Sequence, residues 1–305
     1  MLVSLPHSTE DRIVMLDIDE KSLKQEGRWP WGRDKLALLV DDLFDHYGVA
    51  TVGFDVVFAE PDTSSGLNVL QELGRTQFKD VSQFHSVLSQ IRPQLEYDAL
   101  FAEKLKQRNT VLGYYFSNNE AGTPPSKSGA LPPPVFAPGT FKGRAIDFVQ
   151  WDSYGANLPA LQASAATAGH FNPLVDFDGI VRRIPMVVQH DGAYYESLSL
   201  AVVRSVLGWP RVAPGFAQTK SKDYGGLEWL TLESEQGNLI IPVDARASAL
   251  VPYRGRRGTF KYIPVTDVLH HQTALADLQN KIVLVGTTAP GLMDMRSTPV
   301  GEVFP

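Results

Sequence analysis

The 305-residue sequence contains no cysteine. That removes thiol nucleophiles, zinc–thiolate sites and disulfide scaffolds together, and leaves the redox compartment undecided. Sustained basic runs are also lacking. Arg254-Gly255-Arg256-Arg257 is the densest, and the net charge is −6. A nucleic-acid binder needs a basic face for the phosphates, so the charge argues against that class. No segment approaches the roughly 20 apolar residues that cross a bilayer. The opening MLVSLPHSTEDR has neither a basic start nor an apolar core, so it does not read as a signal peptide. Two placements stay open: a cytosolic protein, or a soluble piece of a membrane protein. The last residues, STPVGEVFP, stop without a helix cap or charged tail, which favours the piece.

What is present is ordinary globular material. Hydrophobic residues make up 43% and charged residues 20%, enough for one large domain or two smaller ones and too apolar for bulk disorder. Arg12 to Ile18 is a dense apolar run and reads as a buried strand. The loop EGRWPWG follows. From Asp34 the apolar residues Leu36, Leu39, Val40, Leu43, Phe44 and Tyr47 fall at helical intervals, and Gly48 stands where a C-terminal cap belongs. Ala50–Phe58 then reads as a second strand. Such strand-helix-strand units are normally parallel and right-handed.

Residues 67–107 read as helix in pieces, interrupted at Pro93, before a third strand at Asn109–Phe116. The stretch 117–139 is rich in Pro, Gly and Ser and reads as an exposed, flexible loop with little apolar surface to bury. Leu158–Ala166 and Glu196–Gly208 have helical spacing. AGHFNPLVDFDGIVRRIPMVV reads as two strands about the turn Asp176–Gly179, and Arg211–Tyr253 as polar strands. A helix starts near Thr266 or Asp267, and Lys281 opens a last buried strand. The expected fold is a layered α/β domain: a central, mostly parallel or mixed sheet, helices on both faces and the long insertion loop.

The candidate chemistry sits at strand ends. Asp17 and Asp19 close the first strand, Asp55 lies near the end of the second, and Glu60 and Asp62 follow. In open α/β folds ligands bind at these carboxyl ends. Asp17 and Asp19 share a side if the strand stays extended. An oxygen-only cluster of this kind suits magnesium. The structural alternative is that the acids cap loops or pair with Lys21, Arg28 or Arg33. The Asp-x-Asp pattern resembles the opening of haloacid-dehalogenase-like phosphatases, which implies a metal-dependent phosphohydrolase. Lys21, however, stands where that family has Thr or Val, and Gly286-Thr287 where it has Gly-Asp. No metal or cofactor motif is otherwise present.

GTTAPG, with Thr287, could offer backbone amides to an anion, without the lysine and spacing of a P-loop. Trp29 and Trp31 flank Pro30 and are candidates to stack a ligand, to meet lipid headgroups or to close the core. Arg182 and Arg183 suit a bidentate anion, or alternate on a strand with one paired and one exposed. His170 is a candidate ligand contact or a hydrogen-bonded buried histidine. His270 and His271 are adjacent and do not face one metal. No Gly-x-Ser-x-Gly elbow supports a serine nucleophile.

Several phrases, in order, resemble one family: DRIVMLDIDEKSL, GRWPWGRDKLALLVDDL, GVATVGFDVVFAEPD, AGHFNPLVDFDGIVRRIPM, YESLSLAVVR, YRGRRGTFKYIPVTDVL and KIVLVGTTAPGLMDMRSTPVG. This ordered set resembles the CHASE type-2 domain, the second family of cyclases/histidine kinases associated sensory extracellular domains, across Asp11 to Pro305. The resemblance implies a single sensor domain over residues 1–305, held outside a bacterial cytoplasmic membrane by flanking helices. It implies a cytoplasmic output domain, a homodimer, and no catalysis within these residues. The insertion from Ser64 to Arg92 is most similar to versions attached to class III adenylate cyclases, which make cAMP. The resemblance supplies no ligand; a small molecule, an ion or a protein signal all fit, as does a dimerisation module without ligand. By this reading the pocket is lined by Asp17, Asp19, Asp55, Trp29, Trp31 and Thr287, with Arg182 and Arg183 as a second site. Of Asp17 and Asp19, holding the GRWPWG loop is the favoured role.

Overall fold

The computed structural model describes residues 10–119, 123–218, 225–235, 237–255, 259–289 and 296–304. The apolar run forms β1 (Glu10–Asp17), followed by helix α1 (Glu20–Glu26) and helix α2 (Arg33–Asp41). The helical spacing continues through a π-helical turn at Asp42–His46. Gly48, at φ 64°, then takes the left-handed backbone that ends such a helix. Strand β2 (Thr51–Phe54) completes the strand-helix-strand unit.

Three helices fill the next segment: α3 (Leu67–Arg75), α4 (Ser82–Leu95) and α5 (Tyr97–Leu105). The expected break at Pro93 does not occur, and α4 ends two residues beyond it. Pro93 forfeits one amide-to-carbonyl bond, and only two residues of helix follow it. Strand β3 (Thr110–Ser117) follows.

The Pro/Gly-rich stretch is not bare loop among its described residues. It carries the short strand β4 (Lys127–Ser128) and buries Phe136. The Val135 amide donates to the Tyr194 carbonyl at 2.8 Å. Pro132-Pro133-Pro134 favours extended backbone, which delivers Phe136 at low entropic cost.

Strand β5 (Ser153–Gly155), helix α6 (Pro159–Ser164) and strand β6 (Thr167–His170) return to the sheet. Strands β7 (Leu174–Val175) and β8 (Val181–Pro185) pair antiparallel about Asp176–Gly179, as expected. Then come the hairpin β9 (Val187–His190) and β10 (Ala193–Glu196), and helix α7 (Leu198–Val206). The polar-looking stretch forms a meander, β11 (Arg211–Phe216), β12 (Leu227–Ser234) and β13 (Gly237–Pro242), and then β14 (Ser248–Leu250). Strand β15 (Phe260–Pro264), helix α8 (Val265–Leu269), strand β16 (Ile282–Gly286) and a terminal pair, β17 (Arg296–Thr298) and β18 (Gly301–Phe304), complete the described chain.

The central sheet runs β15-β1-β16-β2-β3-β5-β4, with β6 also paired to β3. Strands β15, β1, β16, β2, β3 and β6 are parallel, while β5 is antiparallel to β3. The strands read from the sequence at Arg12, Ala50, Asn109 and Lys281 all lie in this sheet, which is mixed. Edge strand β15 escaped the sequence reading because FKYIP is short and flanked by a glycine and an arginine pair.

Alternation along the strands separates two faces. Leu16, Val52, Phe54, Leu112, Val283 and Val285 pack in one large core, with α2, α5, α6 and α8 over it. On the other face Val111 meets Ala201 and Val202 of α7. Two glycines set that contact. A Cβ on Gly53 would lie 2.8 Å from Val202 Cγ2, and one on Gly169 would lie 2.5 Å from Leu198 Cα. The outer side of α7 presents Leu200 to a second core with Phe136, Phe141, Phe148, Tyr194 and Leu230. Helix α7 is therefore clamped between sheet and meander, which is why it is apolar on two sides.

Candidate functional site

The strand ends do converge as the topology requires. Asp17 is paired in register with Gly286 of β16, and the Asp55 amide donates to the Val285 carbonyl at 2.8 Å. The Asp17 carboxylate is buried and is taken up by Thr288, whose amide donates at 2.9 Å and whose hydroxyl donates at 2.6 Å. Thr287 donates its hydroxyl to the Ile18 carbonyl at 2.9 Å. The two threonines thus bind the loop after β16 to the exit of β1. Pro290 and Gly291 of that loop lie outside the described residues.

Asp19 does not share this site. The strand stops at Asp17, and Asp19 becomes the N-cap of α1, accepting from the Ser22 amide at 2.8 Å. Asp55 is exposed, and so is Glu60. Asp62 serves the start of α2: it accepts from the Arg33 amide at 2.5 Å in place of Gly32, which has no side chain to cap with. Among the described residues no group of three or more His, Asp or Glu side chains is placed to hold a metal ion.

The GRWPWG loop has anchors of its own. Its anchors are the Trp31 indole, which donates to the Gly27 carbonyl at 2.8 Å, and Lys35, which donates to the Glu26 carbonyl at 2.6 Å. Trp31 is 4% exposed and belongs to the main core, with Trp29 packed edge-on at 5.6 Å after a cis Trp29–Pro30 bond. A buried indole offers no stacking face, so Trp31 closes the core over the strand end.

Arg182 and Arg183 are both occupied, which corrects the expectation of one exposed arginine. Arg182 donates to both Asp178 oxygens, at 2.9 and 2.8 Å, and to Asp176 at 2.8 Å. That bidentate bond holds the Asp178 carboxyl down at about 2. Arg183 pairs with Asp244 at 3.3 Å and with Asp176 at 3.7 Å. The turn acids neutralise the pair. Arg256 and Arg257 of the densest basic run lie outside the described residues.

His170 is fully buried on the main-core face of β6, and neither ring nitrogen has a hydrogen-bond partner. The rings of Phe116 and Trp151 lie 6.0 and 6.4 Å away. Burial drives its pKa down to about 3, so the ring is neutral. His270 and His271 diverge, to Glu26 at 2.8 Å and Asp42 at 3.0 Å.

The sequence reading missed a cleft of about 590 Å³ between α7, β11 and the Pro-rich segment. Its walls include Pro133, Pro134, Phe136, Trp209 and Pro214. Three charged residues line it as well: Glu196, Arg204 and Arg211. Glu196 is buried; its Oε1 accepts from Arg204 at 2.5 Å, while its Oε2 has no hydrogen-bond partner. Burial raises the Glu196 carboxyl above its ordinary value against the opposing pull of Arg204. Trp209, at φ 63°, holds strained backbone for a bulky residue and stands 5.8 Å from the Arg204 guanidinium. An acid just before a serine N-cap ordinarily reads as a partner of the helix dipole, so the sequence marks Glu196 only weakly.

Among the described residues, no helix is long and apolar enough to cross a membrane. Comparison with curated proteins and with solved structures finds no match. The family model described as the CHASE2 domain matches residues 1–305. The chain therefore belongs to the CHASE2 domain family, the extracellular sensory domains of signalling receptors.

Proposed function

We propose that this chain is the periplasmic input module of a bacterial transmembrane receptor, that it works as a homodimer, and that its state sets the activity of a cytoplasmic class III adenylate cyclase. The observation that carries this reading is the family match over the entire chain, residues 1–305. The strand-end acids are consistent with a non-catalytic module. Asp17 is committed to Thr288 and Asp19 to a helix cap, so the pair expected for phosphoryl transfer is not assembled. Sensing needs two states close in free energy and a ligand that prefers one of them. A domain with two cores on either side of a single helix, α7, has an element through which such states could differ.

The test is cAMP production by membranes carrying the parent polypeptide, with the domain intact and with it deleted. Output that depends on the domain supports the input role. Output indifferent to the domain overturns it, and a product other than cAMP overturns the cyclase assignment. Light scattering of the purified chain checks the dimer; a monomer at all concentrations removes that part.

A further inference from the structure

We propose that β13 is a contact between two copies of this chain: its free edge pairs antiparallel with β13 of a second copy, about a two-fold axis at Ile240, and joins the two meanders into one sheet. The inference rests on the homodimer part of the receptor reading and gives that dimer an interface.

Strand β13 is bonded on one side only. The meander runs β11-β12-β13, and among the described residues no strand pairs with the other edge of β13. The register fixes what that edge offers. Leu230 stands opposite Ile241, and the Val243 amide donates to the Glu228 carbonyl at 2.8 Å. Antiparallel pairs alternate, so Leu239 and Ile241 bond inward while Asn238, Ile240 and Pro242 turn their backbone groups outward. Pro242 fits this phase, because its missing amide would point away from β12. The outward row is thus two N–H groups, from Asn238 and Ile240, and the carbonyls of Asn238, Ile240 and Pro242.

The edge is also unguarded. Sheet edges are ordinarily defended by charge, a bulge or short length. At the two edges of the central sheet β15 carries Lys261 and β4 carries Lys127. The run GNLIIPV, from Gly237 to Val243, has no charged residue, and its register against β12 has no bulge. Leu239 and Ile240 are 46% and 58% exposed. Pairing covers both. Centred on Ile240, each Ile240 exchanges its N–H and C=O with its own counterpart, and each Asn238 amide donates to a Pro242 carbonyl. Leu239 then stands opposite Ile241 of the second copy, on the side that carries Leu232 and the second core.

Charge selects a second copy as the occupant. Glu235 is exposed in the turn before β13, and Arg246 follows the strand with a side chain 50% exposed and a long ion pair to Asp147, at 3.9 Å. Antiparallel pairing about Ile240 sets position 235 opposite position 245, so the acidic end of each strand meets the arginine end of the other. Parallel pairing would set like against like. The contact is the same patch on both copies and closes on itself.

The experiment is sedimentation equilibrium of the full chain, unchanged, with Ile240→Lys, with Ile240→Glu, and with the two variants mixed. The Ile240 side chain is exposed and lies in neither core, and a mixture that associates shows both variants folded. Because residue 240 faces itself, each variant alone sets like charges opposite one another and is expected to dimerise about tenfold or more weakly, while the mixture recovers the parent affinity. The chain has no cysteine, so single thiols read the register. Ile240→Cys should form a disulfide-linked dimer on mild oxidation, its Cα atoms about 5.5 Å apart. Asn238→Cys should not, since its two Cα atoms would lie about 14 Å apart along the strands. A dimer that neither charged variant weakens overturns the proposal. So does a mixture no tighter than its components, or Asn238→Cys crosslinking as readily as Ile240→Cys. Each of these leaves the homodimer reading standing without this interface. A parent chain monomeric at every concentration removes the homodimer and this contact together, while the cAMP readout of receptor input stays independent of both.

Discussion

Asp17 and Thr288 are joined by two hydrogen bonds to one carboxylate, from the Thr288 amide at 2.9 Å and from its hydroxyl at 2.6 Å. The pair ties the end of β1 to the loop leaving β16, at the edge where an open α/β sheet usually meets its ligand. Asp17→Ala leaves both Thr288 donors without this acceptor and is expected to cost about 1–3 kcal/mol. Thr288→Val removes one of the same bonds. The double substitution should cost less than the sum of the two, because both act on one contact. Urea unfolding followed by circular dichroism measures all three; simple additivity would break the assignment.

Helix α7 lies on the sheet because Gly169 has no side chain. A methyl group there would stand 2.5 Å from Leu198 Cα, a backbone atom that cannot rotate away. Gly169→Ala is therefore expected to destabilise by about 1–3 kcal/mol or more through overpacking. The measurement is the denaturant midpoint, and a variant as stable as the parent would show that α7 has slack.

His170 makes stability depend on pH. Its folded-state pKa is depressed to about 3 from 6.5, so between those values the unfolded chain binds the extra proton. Stability from this residue is complete above about 6.5 and is lost as pH falls toward about 3, by at most about 1.4 kcal/mol per pH unit. His170→Leu should flatten the stability profile in that window. An unchanged slope would assign the acid sensitivity to other groups.

Asp178 carries the opposite test. Its carboxyl is held at about 2, below the ordinary 3.8, by the Arg182 fork. A depressed carboxylate stabilises above its unfolded value and loses that contribution as pH falls from about 3.8 toward 2. The site is exposed, so the titration is a better readout than the stability. Carboxyl-detected NMR should place the midpoint near 2, and Arg182→Gln should return it toward the ordinary value. A midpoint already ordinary in the parent would dissolve the ion pair in solution.

Most of the scaffold was legible in the sequence because its signals are local. Apolar runs marked β1, β2, β3 and β16, helical spacing marked α2 and α7, and Asp176–Gly179 marked its turn. The order of phrases also carried the family. The roles of the singled-out residues were not legible. Asp17 looked paired with Asp19, two residues on, yet its partner Thr288 is 271 residues away. Trp31 and the two arginines looked like ligand contacts until their partners were placed.

The sequence by itself determined where strands and helices form, since periodicity, glycine and proline act within a few residues. Only the tertiary structure decided which polar atoms are satisfied. Two oxygens of one glutamate differ in nothing the sequence records. At Glu196 the fold gives Oε1 an arginine and buries Oε2 without a partner, beside a cleft assembled from residues as far apart in the chain as Pro133 and Pro214.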